Sequence, residues 1–281
     1  MSINEYVQLD QVISGEKFLK QSKESGQFNY LKRDFFYKSG IWRDEKVPSL
    51  ILNRKLFKSK PLVIGHSDIA TRVIDGHIAK KLGVPQLFAV NNQNLKGFSH
   101  SIPLGITNNC DDSPIHKILG DESHFLKAND APFNYDSFTP SLYLNFTARN
   151  NSGVRSSVIA VANKISHIYK VVISVPDFSP SGRIQYLQNL RINGLVLCPE
   201  GNGVDTHRFW ETLYMGGIPV VTKNPMMEFF YNNLPVIQLN DWSELENRLL
   251  IEKQWLEITN RSFDFSIMST AYWIKKFQTY E

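Results

Sequence analysis

The chain has 281 residues, 42% hydrophobic and 21% charged, and its 31 basic and 27 acidic residues are interspersed for a net charge of +4. This composition excludes a disordered chain and can supply core for two α/β domains of roughly 130 residues each, the arrangement expected here over one large domain. The mild charge permits a nucleic-acid or membrane partner without implying one. Cys110 and Cys198 form no CxxC, which argues against a disulfide framework or a zinc cluster and for a reducing compartment. The first twenty residues lack the basic start, apolar stretch and cleavage site of a signal peptide, and no apolar run approaches the roughly 20 residues that cross a bilayer. The expectation is a cytoplasmic protein with no membrane span.

Short β-branched runs recur between amphipathic segments, the pattern of strands alternating with helices around a parallel sheet. In the first half, strands are expected at 49–52, 61–65 (PLVIG) and 86–90 (QLFAV). Between the last two, Ile69, Val73, Ile74, Ile78 and Leu82 fall at helical spacing with Gly83 as the stop, which completes a βαβ unit. Residues 91–140 are rich in Pro, Gly, Asn and Asp, with a short helix near 115–119 and a hinge at the end. The pattern then restarts with strand 141–146, helix 154–165, strand 170–175 and helix 181–190, followed by 195–221, strand 235–239, helix 242–255 and a closing helix 263–277. These elements predict two βαβ-type domains in tandem, an N-terminal one over 1–138 and a C-terminal one over 139–281.

The segment LVLCPEGNGVDTHRFWETLYMGGIPVV at 195–221 reads as strand, glycine turn, helix and strand. In an open α/β sheet, ligands sit beyond the carboxyl ends of the strands, where helix N-termini offer free N–H groups and a positive dipole end. Gly201 and Gly203 can adopt positive φ and let the backbone come close to a ligand, and Asp205 or Thr206 is a natural N-cap. On the helix, His207, Arg208 and Glu211 share one arc, toward the crevice, and Phe209, Trp210 and Leu213 the opposite one, toward the sheet. Arg208 suits a phosphate and Glu211 a ribose diol. The alternative is that Asp205 only caps and Arg208–Glu211 is a solvated surface pair. The motif is a GxG with Thr206 at the third glycine position, and no GxxxxGK[ST] occurs, so a dehydrogenase and a P-loop kinase are both disfavoured.

The CPEGNGVDTHRFWETLYMGGIPVV run resembles the donor-site signature of exostosin-like glycosyltransferases, specifically over about residues 141–240 and more weakly before. The resemblance implies an α/β fold of two Rossmann-like domains facing a central cleft (GT-B), closed by a C-terminal helix that often crosses back to the first domain. It implies a nucleotide-diphosphate sugar as donor, a UDP-sugar foremost, with no permanently bound cofactor and a glycan or other hydroxyl acceptor. The donor would lie along Pro199, Glu200, Gly201, Gly203, Asp205, Thr206 and His207, with Arg208 on the diphosphate and Glu211 on the ribose. In LNFTARNNSGVR, similar to the first strand and turn of that domain, Arg149 or Arg155 would face the pyrophosphate, or else each merely opens an exposed helix. Many relatives carry a basic residue where this chain has Glu200. The absence of any Asp-x-Asp agrees with metal-independent transfer, in which helix dipole and cations meet the leaving-group charge. Inversion of configuration is carried over from the family.

Transfer to a hydroxyl needs a general base opposite the donor. His66 and Asp68, after PLVIG, are the first candidates, although Asp68 also suits a helix N-cap and His66 a packed histidine; His100, opening HSIPLGITNN, is the second. Asn145, Asn150 and Asn260 begin glycosylation-type tripeptides, read as chance. Two other readings keep the fold: a phage-type transferase acting on a DNA base, whose binding would fall steeply with salt, and a nucleotide-sugar binding protein without chemistry.

Overall fold

The computed structural model describes residues 11–32, 59–65, 70–93, 96–110, 113–129 and 141–279. The expected strand at 49–52, the boundary at 138/139 and the residues His66 and Asp68 lie outside these. The upstream elements are α1 (Gly15–Ser25), β1 (Asn29–Lys32), β2 (Leu62–Gly65), α2 (Val73–Lys81), β3 (Leu87–Ala89), β4 (Ser99–Ser101), α3 (Pro114–Leu119) and α4 (Ser123–Ala128). The downstream elements are β5 (Ser141–Leu144), α5 (Ser152–Lys164), β6 (Lys170–Ile173), α6 (Pro180–Asn193), β7 (Gly194–Leu197), α7 (His207–Tyr214), β8 (Ile218–Thr222), α8 (Glu228–Asn233), β9 (Ile237–Leu239), α9 (Arg248–Thr259) and α10 (Thr270–Thr279).

Two parallel sheets result, in the orders β1-β2-β3-β4 and β6-β5-β7-β8-β9. The central downstream strands are apolar on both faces, as strands covered by helices on both sides must be. Leu142, Leu144, Leu195, Leu197, Ile218 and Val220 face one way, against Val158 and Ala162 of α5 and Ile251 of α9. Tyr143, Val196 and Val221 alternate to the other face, against Leu187 and Leu190 of α6 and Phe209, Trp210 and Leu213 of α7. That second cluster continues into the upstream sheet through Val63 and Phe88. Leu62, Ile64, Leu87 and Ala89 face the opposite side, with Ala79 of α2. One buried core is therefore shared by the inner faces of both sheets.

The closing helix takes part in that core. Phe277 is fully buried, its ring centroid 5.2 Å from that of Phe18 and 5.0 Å from those of Phe28 and Phe88. Tyr214 donates to the Met268 carbonyl (2.7 Å) and accepts from the Ile13 N–H (3.0 Å), while Val12 and Ser269 form an antiparallel bridge. No helix among the described residues is long and apolar enough to cross a membrane.

Two expected helices are broken. The 242–255 segment divides into a 3-10 turn (Trp242–Glu246) and α9 because Asn247 is non-helical (φ −92°, ψ 86°), its side chain capping the Leu250 N–H at 3.2 Å. The 263–277 segment divides at Ser269, which is extended (φ −102°, ψ 142°) and bridges to Val12. In both cases a local backbone demand overrides an apolar periodicity that runs through it. The elements α1, β1, β4, α4 and α8 were not expected.

Candidate functional site

The downstream sheet reverses its winding between β5 and β7. The chain leaves β5 for α5 on one face and β7 for α7 on the other, so the loops beyond these adjacent strand ends diverge. A cavity of about 290 Å³ opens there. The loop after β5 contributes Asn145, Phe146, Thr147 and Asn150, the loop after β7 contributes Gly201 to Gly203, Asp205 and Thr206, and α7 contributes His207, Arg208 and Glu211. Arg155 of α5, Arg183 and Tyr186 of α6, Pro176, Asp177 and Phe178 after β6, and Leu104, Thr107 and Leu119 from upstream complete the wall.

Arg155 builds the turn rather than lying open to a ligand. It is 7% exposed, and its Nε donates to the Glu200 carbonyl (3.1 Å) and an Nη to the Thr147 carbonyl (3.2 Å), which ties together the two loops of the switch point. Asn151 adds a bond to the Gly201 carbonyl at 3.2 Å. Neither Gly201 nor Gly203 uses the positive φ open to glycine. Gly201 is needed for close approach instead: a Cβ there would lie 2.9 Å from an Arg155 Nη. Burial pushes the Cys198 thiol up to about 12, so it stays protonated and unreactive.

The helix start also differs from expectation. Thr206 is the N-cap (φ −126°, ψ 144°), yet its side chain makes no cap bond and its buried Oγ1 has no partner. Asp205 neither caps nor points freely at the crevice. It is 2% exposed and accepts from the Leu104 N–H (2.7 Å) and Trp210 Nε1 (2.6 Å), while its own N–H donates to Asn91 Oδ1 (2.8 Å). Asp205 thus joins α7 to two upstream loops, one through its carboxylate and one through its N–H. His207 reaches the Leu104 loop as well through Nδ1, 2.7 Å from the Gly105 carbonyl oxygen.

Arg208 and Glu211 both line the cavity, but not as a pair. Arg208 donates to the Asn145 carbonyl (2.5 Å) and lies over the Phe146 ring at 5.2 Å, with Nε buried and unpartnered. Glu211 is buried and ion-paired to Arg183 (2.8 Å), and it accepts from the Tyr186 hydroxyl (2.8 Å), which excludes the solvated-pair alternative. Burial alone would raise the Glu211 carboxyl, but the adjacent Arg183 charge and hydrogen bond, with His207 and Tyr186, outweigh it and hold the carboxyl below its ordinary range. Burial and the Glu211 charge push the Tyr186 phenol well up, so it remains a donor. Arg183 is 2% exposed, also donates to the Leu119 carbonyl (2.8 Å), and lies between Phe125 and Tyr186 at 5.4 and 5.3 Å.

Among the described residues, four buried side-chain polar atoms lack a partner: Arg183 Nε, Thr206 Oγ1, Arg208 Nε and Tyr169 Oη. The first three belong to residues of this one cavity. Buried donors are satisfied almost everywhere in folded proteins, so three orphans on one wall, two of them cationic, fit a ligand that brings anionic oxygens.

The remaining sequence-predicted residues fall elsewhere. Arg149 is exposed and outside the lining, as is the buried Pro199. The Glu200 side chain turns away to accept from Asn224 Nδ2 at 3.1 Å. His100 sits on β4 at the upstream sheet edge, stacked on Phe88 and bonded to Gln86 at 3.0 Å, and is not a cavity residue. Arg183 and Tyr186 went unrecognised because an arginine inside a helical pattern reads as solvated; their spacing of three, which puts both on one face, was the available signal. The chain matches no protein-family model and no curated protein.

Proposed function

We propose that this chain is a GT-B glycosyltransferase that moves a sugar from a nucleotide-diphosphate sugar, a UDP-sugar foremost, to a hydroxyl acceptor, with inversion and without a resident metal. The observation that carries the reading is the set of unpartnered donors at the switch point: Arg208 Nε and Thr206 Oγ1 at the start of α7, and Arg183 Nε beside them. The first N–H groups of α7 have no acceptor within the helix and point the positive dipole end the same way. A diphosphate seated there meets its leaving-group charge with preorganised donors. Each Glu211 oxygen has one protein partner, which leaves acceptor capacity for the ribose hydroxyls. At about 290 Å³ the cavity is at the small end of ligand pockets, which span ~300–1,000 Å³, so the diphosphate and one ring would be enclosed and the transferred sugar would face the upstream residues Leu104 and Thr107.

The test is the melting temperature in the presence of UDP, other nucleoside diphosphates and UDP-sugars, with and without magnesium. A ligand at a hundred times its Kd stabilises the native state by about 2.7 kcal/mol, an easily resolved shift. UDP is expected to raise the melting temperature of the wild type without magnesium and to leave that of Arg208→Ala unchanged. No shift with any of these compounds would sink the reading.

A further inference from the structure

The proposed donor contacts come from Thr206, Arg208, Arg183 and Glu211 and draw on no bond from the His207 imidazole, although the resemblance places that residue along the donor. We propose that His207 is the general base that deprotonates the attacking hydroxyl, an inference that rests on the donor-site reading above. His207 is the first residue of α7, next to Arg208, and lines the cavity where α7 meets Leu104 and Thr107.

Its tautomer is set by the backbone. A carbonyl oxygen can only accept, so the contact of Nδ1 with Gly105 places the proton on Nδ1 and the lone pair of the neutral ring on Nε2. The carbonyl is itself held firmly. Gly105 has φ +73°, a Cβ there would fall on the Ile13 carbonyl, and the next N–H, of Ile106, donates to that same carbonyl at 2.9 Å. Nε2 makes no hydrogen bond to any described residue. An imidazole on a cavity wall, held at Nδ1 by an acceptor and with no described partner at Nε2, is the arrangement a proton acceptor needs.

The other basic oxygens on the wall are less suited. Both Asp205 oxygens already accept strong bonds. Glu211 is ion-paired and held below its ordinary range. Asp177 is lowered as well, by the backbone and hydroxyl of Ser179. The charged groups that share the cavity wall with His207 are Arg208 and Glu211 on its own helix, Arg183 on α6, Arg155 on α5, and Asp205 and Asp177 on loops. Glu211, one helical turn on, attracts the imidazolium once it forms.

In the reaction, the acceptor O–H bond breaks and its proton passes to Nε2. The oxygen forms a bond to the anomeric carbon while the bond from that carbon to the diphosphate breaks, its electron pair leaving on the β-phosphate oxygen. The imidazolium then returns its proton to water.

Water can take the acceptor's place, so the experiment reads UDP release from UDP-glucose and UDP-N-acetylglucosamine, alongside the UDP-induced melting shift. His207→Asn keeps a side-chain N–H for the Gly105 carbonyl and should keep the shift, while release falls by about 10²-fold or more. The acid limb of the wild-type pH–rate profile should disappear with it. In His207→Ala, added imidazole should restore part of the lost rate. A His207→Asn protein that binds UDP and still releases it at the wild-type rate overturns the assignment, as does a wild type that binds UDP but releases none from either sugar. Absence of a UDP shift in the wild type overturns the donor-site reading instead.

Discussion

The two sheets are both parallel and share one buried core, but they are wound differently. Upstream, each described strand is added to the same edge in chain order, β1 to β4. Downstream, the chain starts inside the sheet at β5, adds β6 on one side, then crosses to β7 on the other and continues outward. Among the described residues, the second path sends consecutive loops to opposite faces, and the cavity with its unpartnered donors lies at that divergence. Strand direction is common to both sheets, so it does not explain the site; the reversal of order does.

The largest expected effect comes from the buried pair under that divergence. Glu211→Ala leaves Arg183 charged at 2% exposure with its main counterion gone, which should cost about 3–5 kcal/mol in urea unfolding. Replacing both residues, as Arg183→Met with Glu211→Leu, should cost less than either single truncation because no uncompensated charge remains. The pH dependence has a defined sign. Because the folded carboxyl is held low, its contribution is complete above the unfolded carboxylate value, ~4.3, and declines as pH falls through the folded value; Glu211→Ala should lack that acid slope. A variant as stable as the wild type at neutral pH would show that the pair supports nothing.

The downstream elements were more legible in the sequence than the upstream ones, for a physical reason. Strands such as β5 and β7 are buried on both faces and read as continuous apolar runs, and the turn between β7 and α7 carries its glycines in plain view. In contrast, β4 is only Ser99–His100–Ser101, a strand by virtue of pairing with β3, with no apolar pattern of its own. At the site, the location was readable but the partners were not. Glu211 and Asp205 stood out as polar groups in a motif, yet Arg183 is 28 residues from the first and Leu104 is 101 from the second. Local periodicity cannot report a hydrogen bond closed over such separations.

The seam between the sheets gives an intermediate test. Asp205→Asn keeps one acceptor oxygen but turns the other into an N–H₂ group facing either the Leu104 N–H or Trp210 Nε1, two donors in contact inside the core. The expected loss is about 1–3 kcal/mol, seen as a lower melting temperature. The UDP shift should weaken too, because one of the bonds that hold the start of α7 in place is lost. An unchanged melting temperature would mean that the upstream loops are held by packing alone.

The smallest effect is expected at the upstream sheet edge. His100→Ala removes an exposed bond to Gln86 and a stacked contact with Phe88, a loss of roughly 0.5–1.5 kcal/mol. UDP release should be unaffected, because β4 contributes nothing to the cavity wall. Desolvation, with the Lys276 charge behind it, lowers the His100 imidazole below its ordinary value. Below ~6.5 the unfolded chain therefore takes up a proton that the folded chain resists, and wild-type stability falls on acidification. The variant lacks this term, so its stability deficit should be largest near neutral pH and shrink toward pH ~5. A deficit that widened on acidification would instead mean that the folded protein favours the imidazolium, which would require a carboxylate near β4. A loss of UDP release in this variant would move the catalytic base to the upstream sheet and remove the functional difference between the two.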